Sequence, residues 1–156
     1  MPTSEELVVM LTAMEGLETA ISAFYAACAG RWPEHGKLWN ALAQAELRHA
    51  DYLRKMTEFV KNNPAAYTPG RTFLPKAIET VTRGVTENTA RVAGRGLEMK
   101  NALFIARDFE QSIIEKNYHD LIRTRDAQFN SMIAEIVKET GDHNLWLQNK
   151  IKEISL

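Results

Sequence analysis

Apolar residues recur every three or four positions over most of the chain. Leu7, Leu11, Met14, Leu17, Ile21, Phe24 and Cys28 form a first stripe, with the period of an amphipathic helix. Ser4 or Thr3 followed by Glu6 has the form of a helix start, so the stripe predicts a helix over about 5–31. Trp32-Pro33-Glu34-His35-Gly36 then breaks the pattern, because proline disfavours the helical state before it and glycine favours turns. The stripe resumes with Leu38, Leu42, Ala45, His49, Tyr52, Met56 and Val60, predicting a second helix over about 36–62. Its short connection makes it antiparallel to the first.

From about 63 to 98 the character changes. Pro64, Pro69, Gly70 and Pro75 punctuate the first part, and Gly94 and Gly96 close the second. Ile78, Val81, Val85 and Val92 predict one short amphipathic helix within this crossover, about 76–93. A third long helix, about 98–124, carries Leu103, Ala106, Phe109, Ile113 and Leu121. A fourth, about 126–154, carries Met132, Ile133, Ile136, Leu147, Ile151 and Ile154. No segment alternates as a strand does. The expected fold is therefore all-α: an antiparallel four-helix bundle with one long crossover between helices two and three.

The bulk numbers fit one domain over 1–156. The chain has 156 residues, 45% hydrophobic and 25% charged, as soluble domains do. A net charge of −1 with interspersed signs leaves no basic face for nucleic acid. Cys28 is the sole cysteine, which excludes an internal disulfide and a four-cysteine metal knot. No basic start with an apolar run opens the chain, and no run reaches the ~18 apolar residues of a membrane span. The expectation is a cytoplasmic protein without membrane partners.

Chemistry enters through what shares the buried stripes. Glu18 falls between Met14 and Ile21; Glu46 and His49 lie one turn apart between Leu42 and Leu53. Glu110 lies between Ala106 and Ile113, and Glu139 follows Ile136, with Asp142 and His143 three and four residues later. Each long helix thus turns a carboxylate inward. Buried carboxylates cost several kcal/mol unless protons, cations or paired charges neutralise them, and metal ions meet that demand. Sliding the chain by 92 residues sets Leu11, Met14, Leu17, Glu18 and Ile21 over Leu103, Ala106, Phe109, Glu110 and Ile113. Glu18 to Glu46 is 28 residues and Glu110 to Glu139 is 29. Two matching helix hairpins would bring the carboxylates together about a pseudo-two-fold axis.

Glu18-Thr-Ala-Ile-Ser-Ala-Phe24-Tyr25 and Leu42-Ala-Gln-Ala-Glu46-Leu-Arg-His49-Ala-Asp-Tyr-Leu53 resemble the first helix pair of rubrerythrin-like members of the ferritin-like superfamily. Ala102-Leu103 through Phe109-Glu110 to Glu115 resembles that family's third helix. The resemblance covers roughly 7–60 and 99–147. It implies a di-iron carboxylate centre in which Glu18 and Glu110 are single-glutamate ligands and Glu46 with His49 forms a Glu-x-x-His pair. It further implies Glu46 and Glu139 bridging or nearly so, and Glu18, Glu110 and His49 terminal. On the fourth helix the chain departs from Glu-x-x-His, reading Glu139-Thr140-Gly141-Asp142-His143. Either Asp142 takes the histidine position or His143 swings in, and Asp142 could instead cap a new helix after Gly141.

The expected cofactor is two metal ions, iron first, with manganese or zinc compatible. The implied activity is reduction of peroxide or oxygen, or oxidation of ferrous iron, by a homodimer. The alternative is a ferritin-like scaffold whose fourth-helix half-site has decayed. Tyr25 and Tyr118 read as packing residues with partnered hydroxyls, and Cys28 as a small buried hydrophobe.

Overall fold

The computed structural model describes residues 3–71 and 74–155. Five α-helices dominate them: α1 (Ser4–Arg31), α2 (Gly36–Asn62), α3 (Pro75–Ala93), α4 (Met99–Lys116) and α5 (Ala127–Ser155). The helix periods in the sequence therefore report real elements. Thr3 is the cap of α1: its side chain accepts from the Glu6 backbone N–H while the Glu6 carboxylate accepts from the Thr3 N–H. Two otherwise orphaned donors are satisfied there. Pro75 opens α3 in the first turn, where a missing N–H breaks no helical bond.

A one-turn 3-10 segment, Pro33–His35, joins α1 to α2. The two helices pack along one another, α3 lies against α1, and α4 pairs with α5. The pairs meet through α2 with α5 and α1 with α4. Phe24 of α1 meets Phe109 of α4 edge-on, with ring centroids 5.2 Å apart, one residue before Glu110. Leu11, Leu17, Leu42, Leu53, Leu103 and Leu147 are fully buried in the shared core, each contributing about 1.5–3 kcal/mol relative to exposure.

Four readings are corrected. The third long helix stops at Lys116, well short of 124, because Asn117 adopts the left-handed conformation (φ 52°, ψ 70°), a common way to end a helix. Beyond it, Tyr118–Asp120 form a 3-10 turn, and Ile122–Arg123 pair antiparallel with Thr68–Pro69. This two-residue ladder is too short to leave an alternating pattern, so no strand was expected there. Gly141 does not end α5 either; the helix runs through it, and a side chain there would meet nothing within 4 Å. Finally, α1 is long and apolar enough by length and composition to cross a membrane, with mean hydropathy 1.5 in its most apolar 18-residue window. Half of that window is buried inside the fold, as the packing of α1 between α2 and α3 requires.

Candidate metal centre

Five side chains from four helices converge in the core. Glu18 (α1), Glu46 and His49 (α2), Glu110 (α4) and His143 (α5) are each at most 2% exposed. Helical spacing puts them there: Glu46 and His49 share the face of Leu42 and Leu53, Glu110 that of Ala106 and Ile113, and His143 that of Ile136 and Leu147.

Glu46 stands between the two histidines. Its Oε1 lies 3.2 Å from His143 Nδ1 and its Oε2 lies 3.4 Å from His49 Nδ1. The two imidazoles stack nearly parallel at 6.0 Å. His143 Nδ1 is also 3.6 Å from Glu110 Oε1. Two candidate ligand sets result, Glu18–Glu46–His49 and Glu46–Glu110–His143, and in each the atoms that could ligate an ion lie within 4.8 Å of one another. Glu46 belongs to both.

The chemistry of these donors is unmet by the protein itself. Both oxygens of Glu18, Oε2 of Glu46, Oε2 of Glu110 and both ring nitrogens of His49 are buried without a hydrogen-bond partner. Each such atom costs about 1–3 kcal/mol, and buried polar groups are rarely left so. Desolvation, then the neighbouring carboxylates, pushes Glu18 and Glu46 well above the ordinary value of 4.5. Desolvation likewise lowers the His49 imidazole below 6.5. Divalent cations would reverse both costs, and a mixed carboxylate and imidazole set suits iron, manganese or zinc.

Two tyrosines border the cluster. The Tyr25 hydroxyl donates to Glu110 Oε1 at 2.6 Å, leaving Oε2 as the free oxygen. Tyr118 follows the α4 break; its hydroxyl is buried without a hydrogen-bond partner, contrary to the expectation that it would find one. Burial first, and Glu18 next, raises this phenol well above 10. Tyr118 also lines a cavity of about 160 Å³ between α4 and α5, beside Ile113, Val137 and Thr140.

The fourth-helix expectations divide. Of the two alternatives, His143 joins the cluster and Asp142 does not: Asp142 faces outward and binds Lys138 at 2.9 Å. Asp142 caps no new helix, because α5 is continuous through it. Glu139 stays outside both ligand sets, with its Oε2 3.7 Å from His49 Nε2 and held by Arg48 Nη2 at 2.6 Å. Cys28 is buried as expected, and burial raises its thiol.

Tyr25 packs in the core with its hydroxyl partnered, as expected; that its partner is Glu110 was not foreseen, nor was the role of Arg48. The first was within reach, since Tyr25 lies two turns from Glu18 on the same stripe. Tyr118 depends on the left-handed Asn117, and nothing in the helical period marks Arg48 as a partner of α5. No protein-family model matches the chain, and no curated protein or solved structure is significantly similar to it.

Proposed function

We propose that this chain is a ferritin-like, rubrerythrin-like bundle holding a di-metal carboxylate centre, with iron as the first choice of metal, that reduces peroxide or oxygen or oxidises ferrous iron. One observation carries the reading: two ligand sets share Glu46 and leave buried carboxylate and imidazole atoms with no partner in the protein. Glu18 and His49 would hold one ion, Glu110 and His143 the other, with Glu46 common to both. When bound, a pair of iron ions supplies the electrons that reduce a small oxidant.

The protein's own residues do the rest. Burial of all five ligands excludes bulk water and strengthens every charge interaction inside. Tyr25 orients Glu110 through Oε1, as hydrogen bonds behind a ligand commonly do. Tyr118 keeps its proton at the hydroxyl oxygen, because burial and Glu18 disfavour the phenolate. A small neutral oxidant would have room in the cavity that Tyr118 lines.

Ferrous loading without oxygen, followed by oxygen or peroxide, tests the proposal. About two ions per chain and a rise in the visible absorbance of oxidised iron support it. Absence of metal uptake overturns it, and uptake without an absorbance change removes the redox role.

A second reading has its own observation. Glu139 is engaged by Arg48 and Asp142 by Lys138, so His143 is the α5 residue within the two candidate ligand sets. A scaffold with one retained ion is favoured if loading stops at a single ion per chain.

A further inference from the structure

Among the described residues, Glu139 is a carboxylate that touches both the buried cluster and the surface. Its side chain is 18% exposed, its Oε2 is 2.6 Å from Arg48 Nη2, and the Arg48 side chain is 50% exposed. The same oxygen is 3.7 Å from His49 Nε2, a fully buried nitrogen with no hydrogen-bond partner. Arg48 and His49 are chain neighbours on α2, so one helix presents Glu139 with two competing destinations: a guanidinium at the rim and an imidazole inside. The neighbouring Glu135 is held by the Tyr52 hydroxyl at 2.7 Å, which leaves Glu139 as the carboxylate able to move inward here.

We propose that Arg48 is a latch on Glu139: it holds the carboxylate at the rim in the metal-free protein and releases it to bind a divalent cation on the His49 side. Arg48 is thus a positioning residue that competes with the cation for one ligand. Arg48 also keeps a half-exposed positive charge beside this carboxylate, so the latch slows a cation's arrival at Glu139 as well as weakening its binding. The inference rests on the metal-binding reading above, and its test separates the two.

Cobalt(II) serves as the probe, followed by its visible absorbance and by equilibrium dialysis. The wild-type chain takes up cobalt if the metal reading holds; no uptake overturns both that reading and the latch. With uptake present, Arg48→Gln tightens one ion by up to about fivefold, the scale of a partly exposed ion pair, and speeds its binding. Arg48→Lys keeps the charge and stays near wild type in rate. Glu139→Gln weakens the same ion about tenfold or more and cancels the gain of Arg48→Gln in the double variant. Arg48→Gln with wild-type affinity and rate, or Glu139→Gln titrating as wild type, sinks the latch while leaving the metal centre standing. Circular dichroism of each variant verifies the fold.

Discussion

The hydroxyl of Tyr25 reaches Glu110 Oε1 at 2.6 Å across 85 residues of chain, so α1 orients the carboxylate that α4 supplies. Tyr25→Phe removes that donor and keeps the ring beside Phe24 and Trp39. Hydrogen bonds behind a ligand are typically worth about 10–100-fold in metal affinity. The variant should therefore remain folded and bind metal at least about tenfold more weakly, as read by cobalt titration.

The two candidates on α5 should separate cleanly. His143→Ala deletes a ligand from the Glu46–Glu110 set and should lower the bound metal by one ion per chain. Asp142→Asn loses only a surface pair with Lys138, so metal content should stay at the wild-type level and stability should shift by less than about 0.5 kcal/mol. Metal analysis of the purified variants checks both outcomes.

The metal-free chain should lose stability as the solution becomes alkaline. Glu18 and Glu46 are raised in the folded state, so the folded chain binds protons that the unfolded chain has released. Their stabilising contribution is complete below the unfolded value near 4.5 and is lost as pH rises through the higher folded values. His49 is lowered; its contribution is present above 6.5 and fades as pH falls below it. Urea unfolding with a chelator should thus show stability falling as pH rises above 6.5, and Glu18→Gln should lessen that fall. Metal-loaded protein should lack this decline, because the ions replace the protons.

Gly70 should be intolerant of any side chain. A Cβ there would collide with the backbone carbonyl oxygen of Asp120, and the Gly70 N–H donates to Leu121 O at 2.9 Å. Gly70→Ala should cost about 1–3 kcal/mol and disturb the turn that carries Tyr118. Thermal unfolding measures the first effect, and tyrosine fluorescence or NMR the second.

Much of this was legible from residue spacing. Glu46 and His49 could be read because the helical period ties side-chain direction to position, and Glu18 and Glu110 because they sit among core residues of the same stripe. Helix α2 lies at the boundaries its pattern predicts, Gly36–Asn62, since Pro33 and Asn62-Asn63-Pro64 punctuate both ends. The early end of α4 was hidden because it depends on one backbone conformation at Asn117, which many asparagines do not adopt. The choice of His143 over Asp142 needed the rotation of α5 about its own axis. The outward turn of Glu139 needed Arg48, a residue on a different helix whose reach no periodicity encodes.

Glu46 has a wider consequence. Because a single carboxylate faces His143 with one oxygen and His49 with the other, two cations held as proposed would not fill the centre as separate events. The first to arrive would displace any proton on Glu46 and fix its side-chain torsions, leaving the second oxygen already aimed for the next. That same oxygen would then carry less negative charge. Preorganisation and charge depletion would pull in opposite directions, and their balance would set whether a half-filled state accumulates.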